Sequence, residues 1–142
     1  MTKKILCIGR ALNIFASSKL MDILKHEKKY ELAYTDSFED AKHQLSSGKY
    51  DAVIMHGLRI PAKPKRERKL IERYTEPDWT NETKYAPGLG MVEYTSKVGI
   101  PVIVISNASP DIQAKAIRLG AKGFFKKDEK KRKIAEALEN ML

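Results

Sequence analysis

The sequence predicts a single α/β domain in which a parallel β-sheet is covered by helices on both faces. Three observations carry this. Short apolar runs alternate five times with segments whose apolar residues recur at helical spacing. The runs lack internal polar alternation, as strands buried on both sides require. The length, 142 residues, is that of one domain around one core. Strands separated by helices are joined by right-handed crossovers and therefore lie parallel.

Lys4-Ile5-Leu6-Cys7-Ile8 is the first strand, ending at Gly9. Leu12, Phe15, Leu20, Ile23 and Leu24 then mark one face of an amphipathic helix reaching about Lys28. Residues 30–34 form a short second strand. Ser37 followed by Phe38-Glu39-Asp40 is an N-cap with acids in the first turn, opening a helix to about Leu45 before Gly48. Asp51-Ala52-Val53-Ile54-Met55 is the third strand. The stretch from Gly57 to about Pro87 is too long for a strand-to-helix loop and is read as an insertion, with a short charged helix expected over 65–74. Residues 88–98 resume helical spacing, and Val102-Ile103-Val104-Ile105 is the most apolar strand. Ser109-Pro110 supplies an N-cap and first-turn proline for a helix over 111–119, stopped by Gly120. Gly123-Phe124-Phe125-Lys126 is the fifth strand, and residues 129–142 the last helix, with Ile134, Ala135, Leu138, Met141 and Leu142 on one face.

Composition excludes several classes. Cys7 is the only cysteine and lies in an apolar run, so neither an internal disulfide nor a cysteine-based zinc site is available, which fits a reducing compartment. The apolar run after Met1-Thr2-Lys3-Lys4 is too short for a signal peptide or a membrane span, so the expected location is cytoplasmic, with no membrane partner. The sequon Asn81-Glu82-Thr83 would matter only in a secreted chain.

The net charge of +9 is unevenly placed. Residues 59–74 hold seven Lys/Arg against two Glu, and residues 122–133 hold seven Lys/Arg against one Asp and one Glu. Two basic patches on a near-neutral body suit solvation, an acidic protein surface or nucleic acid. Nucleic acid is less favoured, because the only aromatic side chains of the second patch, Phe124 and Phe125, fall in the expected fifth strand and the first patch has only Tyr74 and Trp79 nearby for base stacking.

In a parallel α/β sheet, sites form at the carboxyl ends of the strands. Those ends carry Gly9-Arg10, Thr35-Asp36, His56-Gly57, Ser106-Asn107 and Lys126-Lys127. No phosphate loop, dinucleotide fingerprint or nucleophile elbow occurs in the chain. Ser17-Ser18 stand well inside the expected first helix rather than in the turn after Gly9. His26 and His43 fall on separate helices from His56, so no ligand cluster forms, and a space-filling His56 is favoured over a metal ligand or a phosphorylated histidine.

With these strand ends, the segments Lys49-Tyr50-Asp51-Ala52-Val53-Ile54-Met55, Pro101-Val102-Ile103-Val104-Ile105-Ser106 and Gly120-Ala121-Lys122-Gly123-Phe124-Phe125-Lys126-Lys127 make the chain resemble the CheY-like receiver domain of bacterial response regulators. The resemblance spans residues 1–142 except the insertion at about 59–87. It implies a flavodoxin-like three-layer sandwich with strand order 2-1-3-4-5. It also implies an acidic, Mg²⁺-holding pair after the first strand, a phosphoacceptor aspartate at the end of the third, a hydroxyl ending the fourth and a lysine ending the fifth. Ser106 and Lys127 match the last two, and Phe124 takes the switch-aromatic position. Gly9-Arg10 stand in place of the acidic pair and His56 in place of the phosphoacceptor. Asp51 lies at the wrong end of its strand, Asp36 ends an edge strand, and Asp128 replaces the proline usual after the lysine. A hard cation wants carboxylate and water oxygens, so metal binding and aspartyl phosphorylation are expected to be absent, with no cofactor and no catalysis.

The expectation is an atypical, stand-alone receiver-like module with a degenerate pocket of Gly9, Arg10, His56, Ser106 and Lys127. Docking to a protein partner, or to a second copy, is expected through the fourth helix, fifth strand and fifth helix. Two alternatives stand beside it: a small-ligand binder in which Arg10, Ser106 and Lys127 converge on an anion under the insertion as a lid, and a nucleic-acid binder using residues 63–69.

Overall fold

The computed structural model describes residues 2–10, 18–59 and 86–142. The elements in chain order are β1 (Lys4–Gly9), α1 (Lys19–Asp22, continuing as a π-helical turn over Ile23–Glu27), β2 (Glu31–Thr35), α2 (Phe38–Ser47), β3 (Ala52–His56), α3 (Ala86–Lys97), β4 (Val102–Ile105), α4 (Pro110–Arg118), β5 (Gly123–Phe125) and α5 (Lys131–Met141). All five strands are parallel and lie in the order β2-β1-β3-β4-β5. This is the flavodoxin-like receiver fold that the resemblance implied.

Successive strand residues point to opposite faces, and the core divides accordingly. Leu6, Ile8, Val53, Met55, Val102 and Val104 pack against buried residues of α2, α3 and α4, among them Phe38, Leu89, Val92 and Ile112. The alternate residues Ile5, Cys7, Ile54, Ile103 and Ile105 pack under α1 and α5, against Leu20, Leu24, Ile134 and Leu138. Cys7 is wholly buried beside the Met21 sulfur, and burial pushes its thiol far above the ordinary range, so it is a core residue rather than a nucleophile. Two helix starts follow the sequence signals: the Ser37 Oγ accepts from the Asp40 amide at 3.1 Å and the Ser109 Oγ accepts from the Ile112 amide at 3.5 Å.

Several boundaries differ from the sequence reading. β2 ends at Thr35 rather than Tyr34, β5 ends at Phe125 rather than Lys126, and α5 begins at Lys131 rather than Glu129. α3 begins at Ala86, so Pro87 and Gly88 fall in its first turn and the segment expected to be irregular is correspondingly shorter. A first-turn proline sacrifices no helical hydrogen bond, which is why Pro87 does not mark a loop. Ser18 is not a helix-interior residue. It has extended backbone angles, and its side chain accepts from the Met21 amide as the N-cap of α1. The expectations placed on Leu12, Phe15, Ser17, the helix at 65–74 and most of the first basic patch lie outside the described residues. Among the described residues no helix is long and apolar enough to cross a membrane.

Candidate functional site

Parallel register places the strand ends in one row. Gly9 pairs with His56, His56 with Ile105, and Ile105 with Phe125. The residues just beyond that row are therefore delivered to the same edge, where two loop segments, 57–59 and 106–108, wall a cleft of about 670 Å³. Arg10, His56, Ser106 and Lys127 all line it. Four of the five residues expected in the pocket thus share one cleft, and Gly9 sits directly behind His56.

Gly9 stands where a side chain would crowd His56. A Cβ on Gly9 would lie 2.9 Å from the His56 carbonyl oxygen and 3.2 Å from the His56 Cβ. With the sheet in this register, the first position of the family's acidic pair holds no side chain of any kind, carboxylate included.

The cleft is organised by backbone bonds that run between neighbouring loops. The Gly57 amide donates to Ile105 O at 2.8 Å and the Ser106 amide to Phe125 O at 2.8 Å, extending the β3-β4-β5 ladder past the strands. Gly57 has φ +92°, a left-handed conformation that suits glycine and turns the chain away from the strand. Ser106 is almost fully buried, and its Oγ accepts from the Ala108 amide at 3.1 Å. Lys127 is fixed at both backbone groups: its amide donates to Asn107 Oδ1 at 3.0 Å, and its carbonyl accepts from Lys131 Nζ at 2.7 Å. Its side chain is exposed at the cleft.

Burial first, then the charges of Lys127 and Lys131, holds the His56 imidazole below its ordinary pKa, so it is neutral at pH 7. Lys127 follows β5 in the connection to α5. The second cation is Lys131, from the first turn of α5. Phe124 is not part of the cleft: it is half-buried and packs with the layer of α2, α3 and α4. The residues that sequence reasoning missed are Asn107 as a tie between loops, together with Leu58, Arg59 and Ala108 as lining. Arg59 had been assigned to the insertion, and its position three residues after β3 was the available signal.

Mg²⁺ does not fit this donor set. Among the described residues no Asp or Glu lines the cleft, and the ionisable lining residues are Arg10, His56, Arg59 and Lys127. Among the described residues, no group of three or more His, Cys, Asp or Glu is placed to hold a metal ion.

No sequence-family model matches the chain, and no curated protein is significantly similar to it. Solved structures do match across nearly its whole length. A CheY-like response regulator receiver domain protein from Methanospirillum hungatei superposes with a TM-score of 0.70 at 16% identity, covering 99% of this chain and 93% of that one. A two-component response regulator from Clostridium difficile gives 0.71 at 15% identity, covering 99% and 95%. The receiver domain of a Pseudomonas aeruginosa sensor histidine kinase, crystallised with magnesium coordinated in its active-site cleft, gives 0.65 at 12% identity, covering 99% and 98%. The chain therefore has the receiver-domain fold of two-component systems.

Proposed function

We propose that the chain is a receiver-fold signalling module that acts by docking to a protein partner and is neither switched by aspartyl phosphorylation nor catalytic. The observation that supports it most directly is that Gly9, Arg10 and a neutral His56 stand where the resemblance implies carboxylates, with Gly9 so placed that a Cβ there would crowd the His56 carbonyl. A receiver fold without its acceptor and metal ligands retains a surface, and that surface is the remaining means of communication.

The face made by α4, β5 and α5 supports a choice of partner. Ile117 on α4 is 46% exposed, and Lys122, Lys126, Lys127 and Lys130 are exposed around β5. Arg132 is already engaged in a bidentate pair with Glu27, at 2.8 and 3.0 Å, which ties α5 to α1. A second copy would oppose lysines to lysines across a two-fold axis, whereas an acidic partner gains attraction over the same area. The favoured partner is therefore an acidic protein surface.

Incubation with acetyl phosphate and Mg²⁺ tests the first half of the reading. The intact mass is expected to be unchanged. Stoichiometric addition of a base-labile, acid-stable phosphate would mean that an acyl phosphate forms and would refute it.

A further inference from the structure

Once metal and acyl phosphate are set aside, the cleft still has a definite chemistry: among the described residues its lining carries hydrogen-bond donors and positive charge and no Asp or Glu. Arg10 and Lys127 contribute cations. The Ser106 hydroxyl accepts from the Ala108 amide, which leaves its own proton to donate. Asn107 accepts through Oδ1 from the Lys127 amide, which fixes the orientation of its carboxamide and leaves the Nδ2 hydrogens as its remaining donors. Such a lining selects an anion, and guanidinium groups match phosphoryl oxygens in paired, parallel hydrogen bonds. At about 670 Å³ the cleft is the size of a small-molecule site and would leave a single phosphate mostly surrounded by water.

We propose that this cleft binds a diffusible small molecule carrying a pyrophosphate group, held without metal by Arg10, Lys127, Ser106 and Asn107. The ligand replaces a covalent modification with a reversible one at the same end of the sheet. Because Asn107 and Lys127 are bonded to each other, a ligand that contacts both pulls on the β4-α4 and β5-α5 connections together, and these border the docking face. Only that regulatory consequence rests on the docking reading; binding itself does not.

The test is a titration of inorganic pyrophosphate into isotope-labelled protein in EDTA at physiological ionic strength, followed by amide NMR. Saturable shifts are expected at Gly57, Asn107 and Lys127, together with a rise in the His56 pKa as the anion offsets the neighbouring lysines. Arg10→Gln and Lys127→Gln each change an exposed side chain and are expected to weaken binding about tenfold or more while leaving the rest of the spectrum in place. Shifts that fail to saturate, that require Mg²⁺, or that are equally strong in both variants would overturn the proposal. So would an RNA oligonucleotide that outcompetes pyrophosphate and is indifferent to both substitutions. Acetyl phosphate labelling is independent of this result: a protein that takes neither phosphate nor pyrophosphate loses the ligand but keeps the docking reading.

Discussion

Gly9→Asp is expected to destabilise the protein by about 3 kcal/mol rather than restore an acidic site. The new Cβ would sit 2.9 Å from the His56 carbonyl oxygen, a backbone atom in the β1-β3 ladder that cannot rotate away. Relief requires β1 and β3 to separate at their ends, which disturbs packing around the buried residues Ile8 and Met55. Gly9→Ala isolates the steric part and is expected to cost about 2 kcal/mol. Urea denaturation followed by circular dichroism measures both, as a fall in midpoint at unchanged slope. Wild-type stability in Gly9→Asp would show that the strands have room for a carboxylate and would weaken the case against a metal.

Gly88→Ala should be at least as damaging, at roughly 3 kcal/mol. Gly88 lies in the first turn of α3, where a Cβ would fall 2.1 Å from Leu58 O and 2.6 Å from the Leu58 carbonyl carbon and Cα. Leu58 is buried in the core and belongs to the segment that walls the cleft. The glycine therefore lets α3 approach the chain just beyond β3, and any side chain there pushes the two apart. The expected signature is a lowered urea midpoint together with amide shifts at Gly57 and Arg59. A variant as stable as the parent would mean that α3 does not seat on Leu58 as described.

The contrast between these glycines and the strands shows what a sequence can reveal. The two-sided apolar runs at β1, β3 and β4, and the caps Ser37 and Ser109 with Pro110, act through near neighbours in the chain, so the elements were legible. Strand order was not carried by periodicity and came from the resemblance in the segments ending at Ser106 and Lys127. Ser18 was misread because apolar spacing continued through it, although serine is among the preferred N-cap residues. The π turn over Ile23–Glu27 keeps Ile23 and Leu24 buried and has no local sequence mark.

Within the cleft, Arg10, His56, Ser106 and Lys127 were legible because a parallel sheet sends every strand end to the same edge. Asn107 was not, because its role depends on a hydrogen bond to an amide twenty residues away. The closeness of Gly9 to His56 was hidden too, being a product of β1-β3 register.

The most direct measurement of the central claim is a crystal of the protein soaked with Mg²⁺ and beryllium fluoride, a mimic of the aspartyl phosphoryl group. The account predicts no metal density at the strand ends, no beryllofluoride bonded to any side chain, and Lys127 still held through its amide by Asn107. A magnesium ion seated beside Gly9 and Arg10, with beryllofluoride on a carboxylate of this chain, would contradict it.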